Sequence, residues 1–62
     1  MEYTRESIIN YIKEQLNCNN AQANIIFNMA WEAGHSNGLS EVYWWADELC
    51  DMVAAYNRGL MG

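Results

Sequence analysis

Apolar residues recur at helical spacing in three segments of the chain, and polar breaks separate these segments. The first segment runs from about residue 5 to 17, with Thr4 as the predicted N-cap. Its apolar stripe consists of Ile8, Ile9, Ile12 and Leu16. The second segment, residues 20–33, is apolar around more than half of its circumference, so we expect this helix to lie between the other two.

The sharpest break in the pattern runs from Gly34 to Gly38 and precedes a third helix, predicted over residues 41–57. Gly34 is expected to end the second helix with a positive φ. Ser40 is predicted to be the N-cap of the third helix, and Gly59 to end it. The core stripe of the third helix is predicted to contain Val42, Trp45, Ala46, Leu49, Met52, Val53 and Tyr56, with Tyr43 and Cys50 at its edge.

These elements predict an all-α fold, a compact three-helix bundle that forms a single domain over residues 1–62. The connections are short, so neighbouring helices are expected to be antiparallel. A chain of this length buries only about 60% of its unfolded surface, which leaves little net stability. We therefore predict a homodimer or larger assembly at micromolar concentration.

The charge balance limits the kinds of partner. Eight acidic residues against three Lys and Arg give a formal net charge of −5. Nucleic-acid binders cluster basic side chains against phosphates, whereas Arg5, Lys13 and Arg58 are scattered, so direct nucleic-acid binding is not expected. Binding to anionic membranes is excluded on the same grounds. The acidity can serve solubility, attraction to a basic protein, or mimicry of nucleic acid.

The sequence also predicts a location. No apolar run has the roughly 18 residues of a membrane span, and the first residues lack the apolar stretch of a signal peptide. Cys18 and Cys50 do not have the spacing of a zinc site or a redox pair. We therefore predict a cytoplasmic protein whose two thiols are free.

The third helix carries a tryptophan on the side opposite its core stripe. Trp44 falls there among acidic residues and cannot share the core side with Trp45. Tryptophan is enriched at the centre of protein interfaces, so we predict a docking surface for a basic, partly apolar partner. Its predicted residues are Trp44, Glu48, Asp51, Asp47, Glu41 and, from the first helix, Tyr11. The alternative is that the first helix, the termini or a second subunit covers Trp44.

Residues typical of catalysis or ligand binding do not form a recognisable set. His35 is the only histidine, and Glu32 precedes it by three residues, the E-x-x-H spacing of di-iron bundles. Such sites need further inward carboxylates, and here the acids are predicted to point outward. Ser36 and Ser40 have no neighbouring base. We expect no enzyme activity, no catalytic residue, no metal and no cofactor, and assign His35 to the cap of the second helix.

Residues 30–42 read AWEAGHSNGLSEV, and an acidic, aromatic helix follows them. This segment resembles a pattern, A-x-E-x-G-H-x-x-G-x-x-E-V, of small uncharacterised proteins of tailed bacteriophages. The resemblance implies a virus-encoded accessory protein that acts in the bacterial cytoplasm. It implies no known activity and no catalytic residue.

Three functions remain open from the sequence. The leading hypothesis is a non-enzymatic, acidic helical interaction protein, encoded by a phage, that binds and modulates or inhibits a host protein. The second is a self-assembling helical homo-oligomer with a structural role. The third is an acidic mimic of nucleic acid that occupies a basic groove, although Arg5 and Lys13 dilute the charge of the first helix.

Overall fold

The structure, a computed structural model, describes residues 3–61 and the side chains of residues 3–59. It consists of three α-helices, α1 (Arg5–Leu16), α2 (Asn20–Gly34) and α3 (Leu39–Met61), with a short 3-10 helix at His35–Asn37. Each α-helix packs against both of the others. The predicted all-α three-helix bundle is confirmed. The prediction that α2 lies enclosed between the other two helices was wrong, because its apolar residues Ile25, Met29 and Trp31 are exposed.

Side-chain caps define where the first two helices begin. The Thr4 hydroxyl accepts a hydrogen bond from the Ser7 N–H at 3.1 Å, and the Ser7 hydroxyl oxygen accepts one from the Thr4 N–H at 3.0 Å. Asn17 ends α1 in the left-handed conformation, with φ of 50°. The Asn19 side chain then accepts from the Gln22 N–H at 2.9 Å. These local bonds satisfy helix-end donors that would otherwise lack partners.

The core is small and is built from all three helices. Its buried residues are Ile8, Ile9, Ile12, Ala23, Phe27, Ala30, Val42, Ala46 and Cys50. The isoleucines of α1 confirm the stripe predicted for that helix, and Leu16 packs against its edge. Alanines at three of the buried positions let the helix axes approach closely.

The start of α3 differs from the prediction. The helix begins at Leu39, because the Gly38 carbonyl accepts hydrogen bonds from the N–H groups of Glu41 and Val42, at 3.2 Å each. Ser40 therefore lies inside the first turn of the helix rather than at its N-cap, and that prediction was wrong.

The end of α3 and its core stripe also need correction. Gly59 does not end the helix, which continues to Met61. Met52 and Tyr56, predicted to be core residues, are exposed. Cys50, predicted at the edge of the core, is buried in it. The buried side of α3 is therefore rotated toward Cys50.

Gly34 is required for close packing rather than for a turn. Its φ is −127°, so the predicted positive φ was wrong, and Gly38 has the positive φ of 94° instead. A Cβ atom on Gly34 would lie 2.9 Å from Trp45 Cδ1 and 3.0 Å from the carbonyl carbon of Glu41. The end of α2 thus lies directly against the beginning of α3.

Candidate protein-binding surface

The outer side of α3 carries Trp44, as predicted. At about 100° per residue, Trp44, Glu48 and Asp51 all lie at least about 140° around the helix axis from the buried Ala46. The Trp44 side chain is 51% exposed. We call the surface formed by Trp44, Asp47, Glu48 and Asp51 the Trp44 face.

The Trp44 indole is held in place by its neighbour. The rings of Trp44 and Trp45 lie 5.0 Å apart between centroids, with their planes at 90°. Trp45 is itself partly buried and packs against Gly34 at the end of α2. An edge-to-face pair of this kind restricts the indole without covering it. Trp44 is therefore exposed and ordered at the same time.

Three carboxylates lie together on this face. Oxygens of Asp47, Glu48 and Asp51 are all within 4.8 Å of one another. Like charges at this spacing produce a negative potential that attracts cationic side chains. Three carboxylates can also contribute ligands to a hard divalent cation, but calcium sites need six to eight oxygen ligands.

Glu41 borders the Trp44 face without joining the carboxylate cluster. It lies one turn before Trp44, and its Cγ is directed at Gly34, 3.0 Å from where a Cβ atom would be. This packing explains why Glu41 is only partly exposed. Of the predicted acidic residues, the structure brings together Asp47, Glu48 and Asp51.

Tyr11 connects α1 to the Trp44 face. Its hydroxyl donates a hydrogen bond of 2.5 Å to Asp47 Oδ1. Its ring lies 5.0 Å from that of Tyr43, which in turn stacks on Tyr3 at 4.5 Å. Tyr11, predicted as a partner-binding residue, thus uses its hydroxyl inside the protein. Its contacts indicate that it fixes the rotation of α3 and orients Asp47.

Replacing Tyr11 with phenylalanine is expected to lower the free energy of unfolding by about 1–2 kcal/mol, because the carboxylate of Asp47 loses a donor while the ring stays in place. Urea unfolding at pH 7 measures the change. Tyr56→Phe is the matched control, since Tyr56 is exposed and should tolerate the loss of its hydroxyl. Equal stability of the two variants would show that the Tyr11 bond contributes nothing.

The same variant has a distinct pH dependence. The hydrogen bond to Asp47, with burial, raises the pKa of Tyr11 above its usual value. A raised folded-state pKa stabilises the fold below the unfolded pKa of about 10, and this stability is lost as the pH rises above it. Burial raises the pKa of Cys50 to about 11, which adds a similar loss above about pH 9. Tyr11→Phe should lose the Tyr11 part of this alkaline decline and keep the Cys50 part, as urea unfolding between about pH 8 and pH 11 measures.

An aromatic column on α2 was missed by the sequence analysis. Phe27 and Trp31 stack at 6.1 Å, Trp31 and His35 stack at 5.3 Å, and the Arg5 guanidinium lies 5.2 Å from the centre of the Phe27 ring. The sequence signal for this column was the four-residue spacing of Phe27, Trp31 and His35, which places the three rings on the same side of a helix. The His35 N–H donates to the Trp31 carbonyl, which confirms His35 as the cap of α2.

Residues 5–54 match the model of DUF8546, a family of unknown function. The chain belongs to the DUF8546 family. The match includes α1, α2, Tyr11 and the whole Trp44 face, so these features lie in the part that defines the family. No curated protein and no solved structure matches this DUF8546 chain.

Two further properties of the DUF8546 chain bear on its chemistry. Over residues 3–61, no helix has both the length and the apolar character needed to cross a membrane. Cys50 is buried and its pKa is raised, so its thiol stays protonated at neutral pH. Cys18, at the α1–α2 connection, is a partly exposed free thiol.

Proposed function

We propose that this protein is a non-enzymatic interaction protein that binds a basic, partly apolar protein surface through the Trp44 face. The observation that carries the proposal is a half-exposed indole beside three clustered carboxylates. A large aromatic side chain surrounded by charge is typical of an interface anchor. The fold of a single chain does not need Trp44 in that position.

The ordering of Trp44 favours tight binding. The contact with Trp45 restricts the indole before a partner arrives. Immobilising a mobile side chain on association costs about 0.5–1.5 kcal/mol, and here part of that cost is met during folding. An indole held in this way inserts into a pocket with little further loss of entropy.

The carboxylates select the partner by charge. Asp47, Glu48 and Asp51 attract Lys and Arg side chains around an apolar pocket that receives the indole. Charges at the rim of an interface mainly raise the association rate and make it sensitive to salt. The proposed partner therefore has a basic rim around an apolar centre, and binding weakens as ionic strength rises.

The biological setting is part of the proposal. The resemblance of residues 30–42 to tailed-bacteriophage proteins supports a phage-encoded factor that acts in the host cytoplasm. There it binds a host protein and modulates or inhibits it. The net charge of −5 favours a basic target surface, including one that normally binds another acidic molecule.

Trp44→Ala is expected to weaken partner binding by at least about 2 kcal/mol, roughly 30-fold, and to leave the fold nearly intact. The test immobilises wild type, Trp44→Ala and Trp31→Ala and compares the proteins that each retains from bacterial lysate. Trp31→Ala is the matched control, because Trp31 is also exposed but lies on α2, among rings rather than acids.

The supporting result is a protein retained by wild type and Trp31→Ala, lost with Trp44→Ala, and released by raised salt. Circular dichroism must show equal helix content in the three proteins. Retention of the same proteins by wild type and Trp44→Ala would contradict the proposal.

A further inference from the structure

A second surface, between α2 and α3, exposes large apolar side chains. Ile25 is 60% exposed, Met29 51%, Met52 57% and Tyr56 67%. Between them lie the partly buried Ile26, Leu49 and Val53. We call these seven residues the α2–α3 face. They include four residues of the core stripe predicted for α3, of which Leu49 and Val53 are partly buried and Met52 and Tyr56 are exposed.

Helix geometry places these side chains on one side of the molecule. On α2, Asn24 and Phe27 face α1, because both contact Arg5. Ile25 and Met29 lie on the opposite side of the α2 axis, next to Ile26. On α3, Asp47 faces α1, because it accepts a hydrogen bond from Tyr11. Met52 and Tyr56 lie on the opposite side of the α3 axis, near Leu49. Ile25, Ile26 and Val53 also line a groove of about 390 Å³ at one end of this face, and Leu16, Asn17 and Cys18, at and just after the end of α1, line it as well.

The charge of this surface distinguishes it from the Trp44 face. None of its seven residues is charged, and the polar residues Asn17, Gln22 and Asn57 that line the groove are neutral. A chain of charge −5 repels a second copy wherever acidic residues would meet. An uncharged apolar surface lets two such chains approach without that repulsion. Charge therefore favours a second copy as the occupant.

The size of the surface also suits a dimer. A stable dimer buries about 800 Å² on each partner, which is close to a fifth of the 4476 Å² surface of this chain. The whole chain extends 36 × 20 × 19 Å between Cα atoms, and α2 and α3 are about 22 Å and 35 Å long, so the side that both helices form has an area of this order. The core of a single chain is too small to bury these side chains, so a second chain is needed to remove them from water.

We infer that the α2–α3 face binds the same face of a second copy and forms a twofold-symmetric homodimer. In a twofold interface, each chain contributes the same patch, so a self-complementary apolar surface is sufficient. The two α2–α3 layers then pack as a four-helix arrangement. The Trp44 face lies outside this interface, so the dimer presents two copies of it, and the inference does not depend on the proposed function.

Met52→Glu tests the inference, because it places a charge within the face at an exposed position that the monomer fold tolerates. Ala55→Glu is the matched control, with the same charge on the same helix at an exposed position on the outer side. Sedimentation equilibrium measures the mass of both variants, wild type and Trp44→Ala from 1 to several hundred micromolar.

Wild type, Ala55→Glu and Trp44→Ala are expected to approach twice the chain mass of 7.2 kDa, while Met52→Glu dissociates at least tenfold more readily. A wild type that stays at 7.2 kDa throughout would overturn the inference. So would equal dissociation constants for Met52→Glu and Ala55→Glu. Loss of the dimer with Trp44→Ala alone would assign self-association to the Trp44 face instead.

Discussion

Gly34→Val is expected to destabilise the protein by about 2 kcal/mol or more, because a side chain has no room where α2 meets α3. The nearest obstacles to a Cβ atom at this position are Trp45 Cδ1 at 2.9 Å and the carbonyl carbon of Glu41 at 3.0 Å. The indole can shift, but the backbone of Glu41 can move only if α3 moves away from α2. Urea unfolding followed by circular dichroism measures the loss.

Gly59→Ala is the control for this experiment. Gly59 lies inside α3, and a Cβ atom there would meet nothing within 4 Å. Alanine is favoured over glycine inside a helix by about 0.5–1 kcal/mol, so this variant should be slightly more stable than wild type. If Gly34→Val unfolds at the same urea concentration as wild type, α2 and α3 do not approach each other as closely as these distances require.

Ile12→Ala is the second variant with a large expected effect. The Ile12 side chain is fully buried at the centre of the core. Removing it should cost about 2–5 kcal/mol, through lost burial and the cavity left behind. The net stability of a small domain lies near the low end of about 5–15 kcal/mol, so a large unfolded fraction is expected at 37 °C.

Ile25→Ala makes the same chemical change on the surface. Ile25 is exposed in the monomer but lies on the α2–α3 face, so both variants are made in the Met52→Glu background, which disfavours the dimer. There, at low micromolar concentration, Ile25→Ala should change the free energy of unfolding by less than about 0.5 kcal/mol. Thermal and urea unfolding of the two variants side by side provide the comparison. Equal losses for Ile12→Ala and Ile25→Ala at that concentration would show that the core is placed wrongly.

The isoleucine stripe of α1 and the outward position of Trp44 were both predictable from the sequence. Ile8 and Ile12 lie one turn apart, so they must share a side of any helix that contains them. Trp44 is adjacent to Trp45, which places the two rings about 100° apart around the axis. Such statements depend only on the geometry of one helix.

Met52, Tyr56 and Gly34 were predicted wrongly because their surroundings depend on how helices meet. The periodicity of the sequence identifies the apolar side of α3. It does not show which residues on that side are covered by α1 and α2. Since α1 packs against the side of Tyr43 and Asp47, the buried arc moves toward Cys50 and away from Met52. Gly34 is required because α3 packs closely against it. In the sequence, such a glycine cannot be distinguished from one that a turn requires for its positive φ.

The difference in helix length has a consequence for the lifetime of backbone hydrogen bonds. The 23 residues of α3 extend about 35 Å, against about 22 Å for the 15 residues of α2. From Ala55 to Gly59 every residue is exposed in the monomer, so this stretch has few contacts that hold it to the bundle. A short helical stretch without tertiary contacts is only marginally stable in water. Amide hydrogens near Val42 and Ala46 therefore exchange with solvent only when the whole bundle opens, whereas those of the last turns exchange through frequent local unwinding.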